Sequence, residues 1–238
     1  MNLEAKLILR GKIEIKTGLH IGGSKETLDI GGMDNPIIRD KGGRIYIPGS
    51  SLKGKIRNLL ENVDGRKDEN GSPKQNDGKP CECGKCNICK IFGPHSSKTI
   101  SEPVRIIIRD AYLEGETDTE EKTENVIDRV KGTTLRGGLR QIERIPVGSI
   151  FNFEVVYNVY SEKDKTLIKK FIEGMKLLED DYLGGSGSRG YGKIEFREMD
   201  ITEKTKEFYE KGGESEKIGD LNNIKELEAN LDKLKCIN

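Results

Sequence analysis

The amino-acid sequence predicts an α+β fold whose elements follow the order strand, helix, strand, strand, helix, strand. Apolar and polar side chains alternate over residues 5–16 and 151–159, which is the pattern of half-buried strands. Over residues 52–63 and 161–178 the apolar side chains recur at helical spacing instead. With two shorter strands, these segments form the split βαβ, or ferredoxin-like (RRM-like), arrangement βαββαβ.

The remaining elements follow from shorter signals. Residues 104–109 alternate and predict the second core strand, residues 45–47 predict a short strand, and Ile194 begins the last one. Residues 48–51, Pro-Gly-Ser-Ser, predict a turn and the N-cap of the first helix, because serine oxygens can accept hydrogen bonds from free amide groups there. Apolar side chains at helical spacing predict a terminal helix at Ile224, Leu227, Leu231 and Leu234.

Two insertions interrupt the predicted core. Residues 64–100 are polar and glycine-rich before a cysteine cluster, and residues 114–148 are charged and contain several glycines. Since a long excursion between two strands is usually functional, residues 114–148 are a candidate site, whereas residues 64–79 are a mobile loop by composition. We expect one domain over residues 1–199 that carries both insertions, followed by a charged, helical tail over residues 200–238.

Charge and composition limit the function. The chain has 41 basic and 41 acidic side chains, so binding to a polyanion requires local clustering of cations. Such clustering occurs between Arg39 and Arg57, with six basic residues and one acid. The first residues include an acid and a base where a signal peptide needs an apolar run, and no stretch is apolar enough to span a membrane. We therefore expect a soluble cytoplasmic protein with no membrane partner.

Four of the five cysteines form the pattern Cys81-x-Cys83-x2-Cys86-x2-Cys89. They lie too close together for a disulfide framework, and four thiolates at this spacing can bind one tetrahedral Zn²⁺ ion. Because the first spacing is unusually tight, His95 is a possible substitute for Cys81 or Cys83. Unrelated thiols and an iron–sulfur cluster are the alternatives. With all ligands supplied by protein, the zinc would be structural.

A glycine-rich segment over residues 183–193 follows the second predicted helix. Five glycines in it predict positive φ angles or close approach of another backbone. Its amides, hydroxyls and cations favour anion binding over a plain turn. It lacks the spacing of a nucleotide-binding P-loop and opens no helix after a strand. The candidate contacts are Gly185, Ser186, Gly187, Ser188 and Arg189.

Three other residues carry weaker signals. Lys53 and Arg57 are four residues apart and therefore share one face of the first helix. Such a charged face is usually only solvated. Its position directly after the N-cap favours contact with phosphate groups. His20, in a turn, is by default a hydrogen-bonded turn residue.

Several segments together resemble a known family. Residues 183–192, Leu-Gly-Gly-Ser-Gly-Ser-Arg-Gly-Tyr-Gly, resemble the glycine-rich signature of the RAMP superfamily of CRISPR proteins. Residues 17–23, 47–57, 125–129 and 140–144 extend the resemblance to the backbone RAMP subunit of the type III-A (Csm-type) CRISPR interference complex. The resemblance extends from about residue 5 to residue 199.

The resemblance implies a subunit that is present in several copies along a CRISPR RNA, beside other Csm-type subunits. Residues 114–148 would form a thumb-like hairpin between guide and target RNA. The target RNA would be cut at regular intervals, once per subunit, with Mg²⁺ or another divalent cation and a loop aspartate. Asp34, in Met33-Asp34-Asn35-Pro36, matches that aspartate, although the family pattern has Ile before it. The implied RNA contacts are His20, Ser51, Lys53, Arg57, Arg129, Arg140 and the glycine-rich segment.

Two other functions remain open from the sequence. The chain could be a structural RNA-coating subunit in which Asp34 is inert. It could also be a stand-alone endonuclease that processes CRISPR transcripts with His20. The role of Asp34, as a metal ligand or as the base that accepts the 2′-hydroxyl proton, is also open.

Overall fold

An antiparallel sheet backed by helices forms the body of the protein. The computed structural model describes residues 1–23, 35–74 and 78–236. The strands are β1 (Ala5–Ile15), β2 (Tyr46–Ile47), β3 (Ile106–Ile108), β4 (Ala111–Leu113), β5 (Glu120–Glu124), β6 (Arg140–Arg144), β7 (Ile150–Val159), β8 (Ile194–Thr205) and β9 (Glu216–Leu221). The helices are α1 (Gly49–Asp64), α2 (Asn87–Phe92), α3 (Glu162–Asp180), α4 (Lys206–Lys211) and α5 (Ile224–Asn230).

The long strand β1 lies at the centre of the main sheet. The strand order is β2-β4-β7-β1-β8-β9, and β3 also pairs with β7. β1 is antiparallel to both neighbours, with Ala5 opposite Val159 of β7 and Thr205 of β8. β5 and β6 form a separate two-stranded sheet. The predicted combination of helices with an antiparallel sheet is confirmed.

Helices α1 and α3 pack against each other and cover the sheet. Their apolar faces are buried, as the helical spacing predicts, except at Val63 near the end of α1, which is exposed. Gly174 lies at the contact: a Cβ atom there would come within 2.6 Å of Ile56 Cγ2 and 2.9 Å of Leu60 Cδ1. The glycine therefore allows α3 to approach α1 closely.

The N-cap of α1 lies in the predicted stretch of residues 48–51, but no serine side chain caps the helix. The helix begins at Gly49 with Pro48 as N-cap, and no side chain at that position caps it. Instead, the Gly49 amide donates to Asp110 Oδ1 at 2.8 Å. Asp110 follows β3, so the cap comes from a distant segment that local signals do not show.

The sheet extends beyond the predicted last strand. β8 continues to Thr205, and β9 pairs with it as an edge strand. The boundary expected after residue 199 falls inside β8, and the division into body and tail stays a prediction. The expected terminal helix is confirmed in α5, which places Ile224 and Leu227 in the core. In the described parts of the chain, no helix is long and apolar enough to cross a membrane.

Candidate RNA interface and metal centre

Two segments of the family resemblance, far apart in sequence, meet beside the end of β1. The turn of residues 17–23 lies against the glycine-rich segment: the Gly185 amide donates to His20 O at 2.8 Å, and the Gly192 amide donates to Gly18 O at 3.1 Å. The same turn contacts the end of β6, because Leu19 and Ile145 exchange backbone hydrogen bonds of 2.8 and 2.9 Å. We call this meeting point the junction.

The glycine-rich segment has the backbone that its composition predicts. Gly184 and Gly192 have φ angles of +77° and +76°, and Gly190 has +83°. A Cβ atom would lie 2.3 Å from His20 O at Gly184 and 2.0 Å from Leu183 O at Gly192. The predicted positive φ angles and close backbone approach are therefore confirmed.

Some amides of the glycine-rich segment are used inside the fold. The amides of Gly185, Gly190 and Gly192 donate to backbone oxygens. The amides of Gly187 and Ser188, at the start of a 3-10 turn (Gly187–Arg189), are among those in the segment that have no backbone acceptor in the described residues. These two amides are available to an anion.

The side chains of the segment face the hairpin formed by β5 and β6. Arg189 Nη1 lies 2.7 Å from Glu124 Oε2 of β5. Lys122 Nζ lies 4.4 Å from the centre of the Tyr191 ring. Arg140 is exposed at the start of β6 and lines the same cleft as Arg189. The cleft thus combines three cations with one carboxylate.

At the far end of the hairpin, a tight turn presents Arg129. The Asp128 carboxylate accepts hydrogen bonds from the amides of Val130 and Lys131, at 2.9 and 3.0 Å, and these bonds lower its pKa. Arg129 is exposed beside it, and Val130 is 95% exposed. The tip therefore offers a cation and an apolar surface to a partner.

His20 is oriented by a backbone hydrogen bond at the junction. Its Nδ1 lies 2.7 Å from Glu143 O. Because a carbonyl oxygen only accepts, Nδ1 carries the proton, and Nε2 is left to interact elsewhere. The ring is half-buried. His20 is thus a hydrogen-bonded turn residue whose Nε2 atom can still interact with a ligand.

Glu143 connects the hairpin to the segment after Asp34. Its buried carboxylate accepts hydrogen bonds from the Ile37 amide at 2.8 Å, from Thr119 Oγ1 at 2.7 Å and from Arg39 Nη2 at 2.6 Å. Burial opposes ionisation, but these three donors outweigh it and lower the pKa of Glu143. Sequence reasoning missed this residue, because its partners are far apart in the chain.

Asp34 lies outside the described residues. Asn35, the next residue in sequence, has its backbone oxygen 3.2 Å from the Glu143 amide, which donates to it. The segment that begins at Asn35 is therefore fixed against β6 at the junction.

The predicted cations of α1 have different surroundings. Lys53 is half-buried and has no acidic partner in the parts of the chain described, and burial together with nearby Arg57 lowers its pKa. Arg57 donates from Nε to Glu61 at 2.7 Å and from Nη2 to Cys81 O at 2.9 Å. Ser51, in the first turn, is half-buried. Lys53 is thus available to an anion, whereas Arg57 also supports the cysteine segment.

The four clustered cysteines have the geometry of a metal centre. Their sulfur atoms all lie within 4.8 Å of one another. Sulfur pairs are separated by 3.7 Å (Cys81–Cys83), 3.7 Å (Cys81–Cys86) and 4.0 Å (Cys83–Cys89). A tetrahedron with Zn–S bonds of about 2.3 Å has edges of about 3.8 Å. The donor set therefore fits a tetrahedral metal ion.

Hydrogen bonds to the sulfurs support the same assignment. The amides of Lys67, Cys86 and Cys89 donate to cysteine sulfurs at 3.2–3.4 Å. A hydrogen bond from the Cys89 thiol, above all, lowers the pKa of Cys86 and favours its thiolate. His95 is exposed; its amide donates to Cys81 O at 3.1 Å, and its ring is not part of the four-sulfur group.

Comparison with known proteins finds relatives along nearly the whole chain. A family model described as the RAMP superfamily matches residues 12–195. The chain is 60% identical to the CRISPR system Cms endoribonuclease Csm3 of Methanocaldococcus jannaschii, over 98% of this chain and 96% of that protein. It is 40% identical to the protein of the same name from Streptococcus thermophilus, over 83% of this chain and 90% of that one.

The fold is also similar to a solved structure. A chain from the crystal structure of a Csm3-Csm4 subcomplex in the type III-A CRISPR-Cas interference complex superposes with a TM-score of 0.71 at 49% identity, covering 98% of both chains. The chain therefore belongs to the RAMP superfamily and, within it, to the Csm3 family.

Proposed function

We propose that this chain is a CRISPR RNA-binding backbone subunit of a type III-A interference complex, and that it cleaves guide-paired target RNA at regular intervals, one cut per subunit. The observation that carries the proposal is similarity along nearly the whole chain to relatives named endoribonuclease Csm3. The proposal is also supported by the position of the family segments of residues 17–23 and 183–192, which meet at the junction, because the residues of one binding site must lie close together.

RNA binding in this proposal uses charge and shape rather than base reading. Lys53 and the amides of Gly187 and Ser188 take guide phosphates, and Arg189, Arg140 and Arg129 line the path along the hairpin. His20 contacts RNA through Nε2. Contacts of this kind position a strand without reading its sequence. Base pairing between guide and target then supplies specificity.

Cleavage uses the nucleophile that RNA already carries. The 2′-hydroxyl oxygen attacks the adjacent phosphorus, the bond from phosphorus to the 5′-oxygen breaks, the 2′-hydroxyl proton passes to a base, and the leaving oxygen gains a proton. Asp34 is the candidate for this base or for holding a divalent cation. Such a cation, Mg²⁺ for example, would neutralise the negative charge that develops on the phosphate.

The finer structural assignments belong to the same proposal. The order β4-β7-β1-β8, antiparallel throughout, supports a ferredoxin-like core. Zn²⁺ on the four cysteines is structural. The partners are CRISPR RNA, target RNA, further copies of the chain and other Csm-type subunits.

Substitution of the loop aspartate tests the proposal. In the assembled complex, Asp34→Ala should leave target RNA binding unchanged and reduce cleavage at the regular positions by at least about 100-fold, the scale of a lost acid–base group. Asp232→Ala, at an exposed aspartate paired with Lys169, is the control and should cut normally. Gel analysis of end-labelled target RNA gives both results.

The other outcomes identify the alternative functions. Unchanged cutting by Asp34→Ala would remove this residue from the catalytic site. Absence of cutting by the unaltered complex would favour a purely structural RNA-coating subunit. A single cut of a CRISPR transcript by the isolated chain, lost in His20→Ala, would favour a processing endonuclease.

A further inference from the structure

One side chain, Tyr182, supports the glycine-rich segment in addition to its backbone contacts. Tyr182 lies between the end of α3 and that segment and is half-buried. A Cβ atom at Gly187 would come within 2.1–2.3 Å of the Cγ, Cδ1 and Cδ2 atoms of the Tyr182 ring. These distances are far shorter than van der Waals contact. The ring therefore lies directly against the Gly187 backbone.

The ring explains why residue 187 is a glycine. Gly184, Gly190 and Gly192 have φ angles in the left-handed region, but Gly187 does not. An alanine could adopt the backbone conformation of Gly187 without strain. Contact with Tyr182, and not backbone conformation, is thus what requires glycine at this position.

A second contact connects the same ring to α1. Lys55 Nζ lies 3.6 Å from the centre of the Tyr182 ring and 2.9 Å from Asp181 Oδ2. The Lys55 side chain is only 17% exposed. A cation over an aromatic face is attracted by its π electrons, more strongly where water is excluded. Lys55 therefore holds both Asp181 and Tyr182 against α1.

The turn beside the ring has a conformation that needs such support. Ser186, just before the 3-10 turn Gly187–Arg189, has a φ of +60°. A residue with a side chain rarely adopts this left-handed conformation unless its surroundings hold it there. The amides of Gly187 and Ser188 have no hydrogen-bond acceptor in the parts of the chain described. Two free amides bind one anion well only when their orientation is fixed.

We infer that Tyr182 is a positioning residue of the RNA interface: its ring, held by Lys55, fixes the turn so that the amides of Gly187 and Ser188 bind a phosphate oxygen of single-stranded RNA. The inference rests on the proposed RNA-binding function. It assigns to Tyr182 no contact with RNA of its own.

The test is a double-mutant cycle in the full-length chain. The proteins are the unaltered chain, Tyr182→Ala, Gly187→Ala and the double variant, and the probe is a labelled uridine oligonucleotide. Tyr182→Phe keeps the ring and removes the hydroxyl. Tyr209→Ala, at a 52% exposed ring, and Gly213→Ala, where a Cβ would lie 3.6 Å from Phe208 Cα, are the matched controls. Circular dichroism checks that each protein is folded at the temperature of the titration.

Tyr182→Ala and Gly187→Ala should each weaken binding about tenfold, the scale of one lost hydrogen bond to a charged group. The double variant should bind within about twofold of Tyr182→Ala, because the added Cβ no longer meets a ring, so the two effects are not additive. Tyr182→Phe and both controls should match the unaltered protein.

NMR spectra of the backbone amides provide a second readout. Saturation with the probe should shift the amide signals of Gly187 and Ser188 in the unaltered protein, because both amides then donate to a phosphate. In Tyr182→Ala these shifts should be lost at saturation. A side chain that only stabilised the fold would leave the shifts unchanged in the bound, folded protein.

Four results would overturn the inference. Tyr182→Ala could bind as tightly as the unaltered protein, or Tyr182→Phe as weakly as Tyr182→Ala. Gly187→Ala could weaken binding equally with and without the ring, which would mean that RNA itself approaches Gly187. Gly187→Ala could also bind normally, and this result decides even if Tyr182→Ala does not fold. Failure of the unaltered protein to bind the probe would instead refute the proposed function.

Discussion

At the scale of single residues, the glycine-rich segment shows two different uses of glycine. Gly190 has a positive φ, and no atom of the described residues lies within 4 Å of its missing Cβ, so backbone conformation is what favours glycine there. Gly192 has a similar φ, but its Cβ would also overlap Leu183 O. The sequence does not distinguish these two uses, because each position appears in it simply as a glycine.

The two glycines predict different costs of substitution. Gly190→Ala should reduce the free energy of unfolding by about 1–2 kcal/mol, the cost of an alanine in the left-handed region. Gly192→Ala adds displacement of the Leu183 backbone and should cost at least about 3 kcal/mol. Urea unfolding of both variants measures the difference. Equal losses would mean that the contact with Leu183 does not constrain the position.

The residues that sequence reasoning missed have partners far away in the chain. Asp110 caps a helix that begins 61 positions earlier, and Glu143 binds the Ile37 amide 106 positions away. Asp110 lies in no pattern that differs from an ordinary charged surface, and Glu143, although it lies in the family segment of residues 140–144, has no local signal that shows its partners. By contrast, the four cysteines were recognisable because their ligand spacing is local. A site whose residues are close in sequence can therefore be predicted from the sequence. Hydrogen bonds between distant segments, such as those of Asp110 and Glu143, can be predicted only when the fold is known.

At the scale of elements, the same contrast applies. The long strands β1 and β7 and the helices α1 and α3 were predictable, because burial of one face imposes a period on the sequence. β9 was not, since its sequence Glu-Lys-Ile-Gly-Asp-Leu has no clear alternation. Charged residues and glycine are usual in edge strands, which must avoid pairing with other chains.

The attachment of the β5–β6 hairpin depends on an ionised Glu143. Its pKa is lowered in the folded protein, so the ionised form stabilises the fold at pH values above the unfolded value of 4.5. That contribution is lost as the pH falls through the lowered, folded value. Glu143→Gln should therefore reduce the free energy of unfolding by about 1–3 kcal/mol at neutral pH, because it weakens hydrogen bonds to a charged group.

Thermal unfolding as a function of pH checks this prediction. The difference in Tm between Glu143→Gln and the unaltered protein should be largest near neutral pH and should shrink below about pH 4.5. Glu121→Gln, at an exposed acid on the same hairpin, is the control and should change Tm little at any pH. A difference that persists undiminished in acid would show that the charge of Glu143 does not hold the hairpin.

At the scale of the whole molecule, the last residues complete the core. Leu227, Leu231 and Leu234 are fully buried. The amides of Lys235 and Cys236 donate to the buried carboxylate of Glu203 in β8, at 2.9 and 2.7 Å. If the segment after β9 were only an appendage, the rest of the domain would still fold after its removal. These contacts instead predict that the segment after β9 is required for folding.

Deletion of residues 223–238 tests that prediction. It removes four buried apolar side chains, each contributing about 1.5–3 kcal/mol, and leaves Glu203 without its donors. The loss is comparable to the total stability of about 5–15 kcal/mol that is usual for a domain, so the shortened chain should not fold. Lys169→Ala with Lys176→Ala is the control: it breaks the ion pairs of α3 with Asp232 and Glu228 but keeps the apolar contacts, and should cost less than about 2 kcal/mol. Circular dichroism during heating distinguishes the shortened chain from this control. A shortened chain that melts within a few degrees of the full chain would show that residues 1–222 fold without this segment.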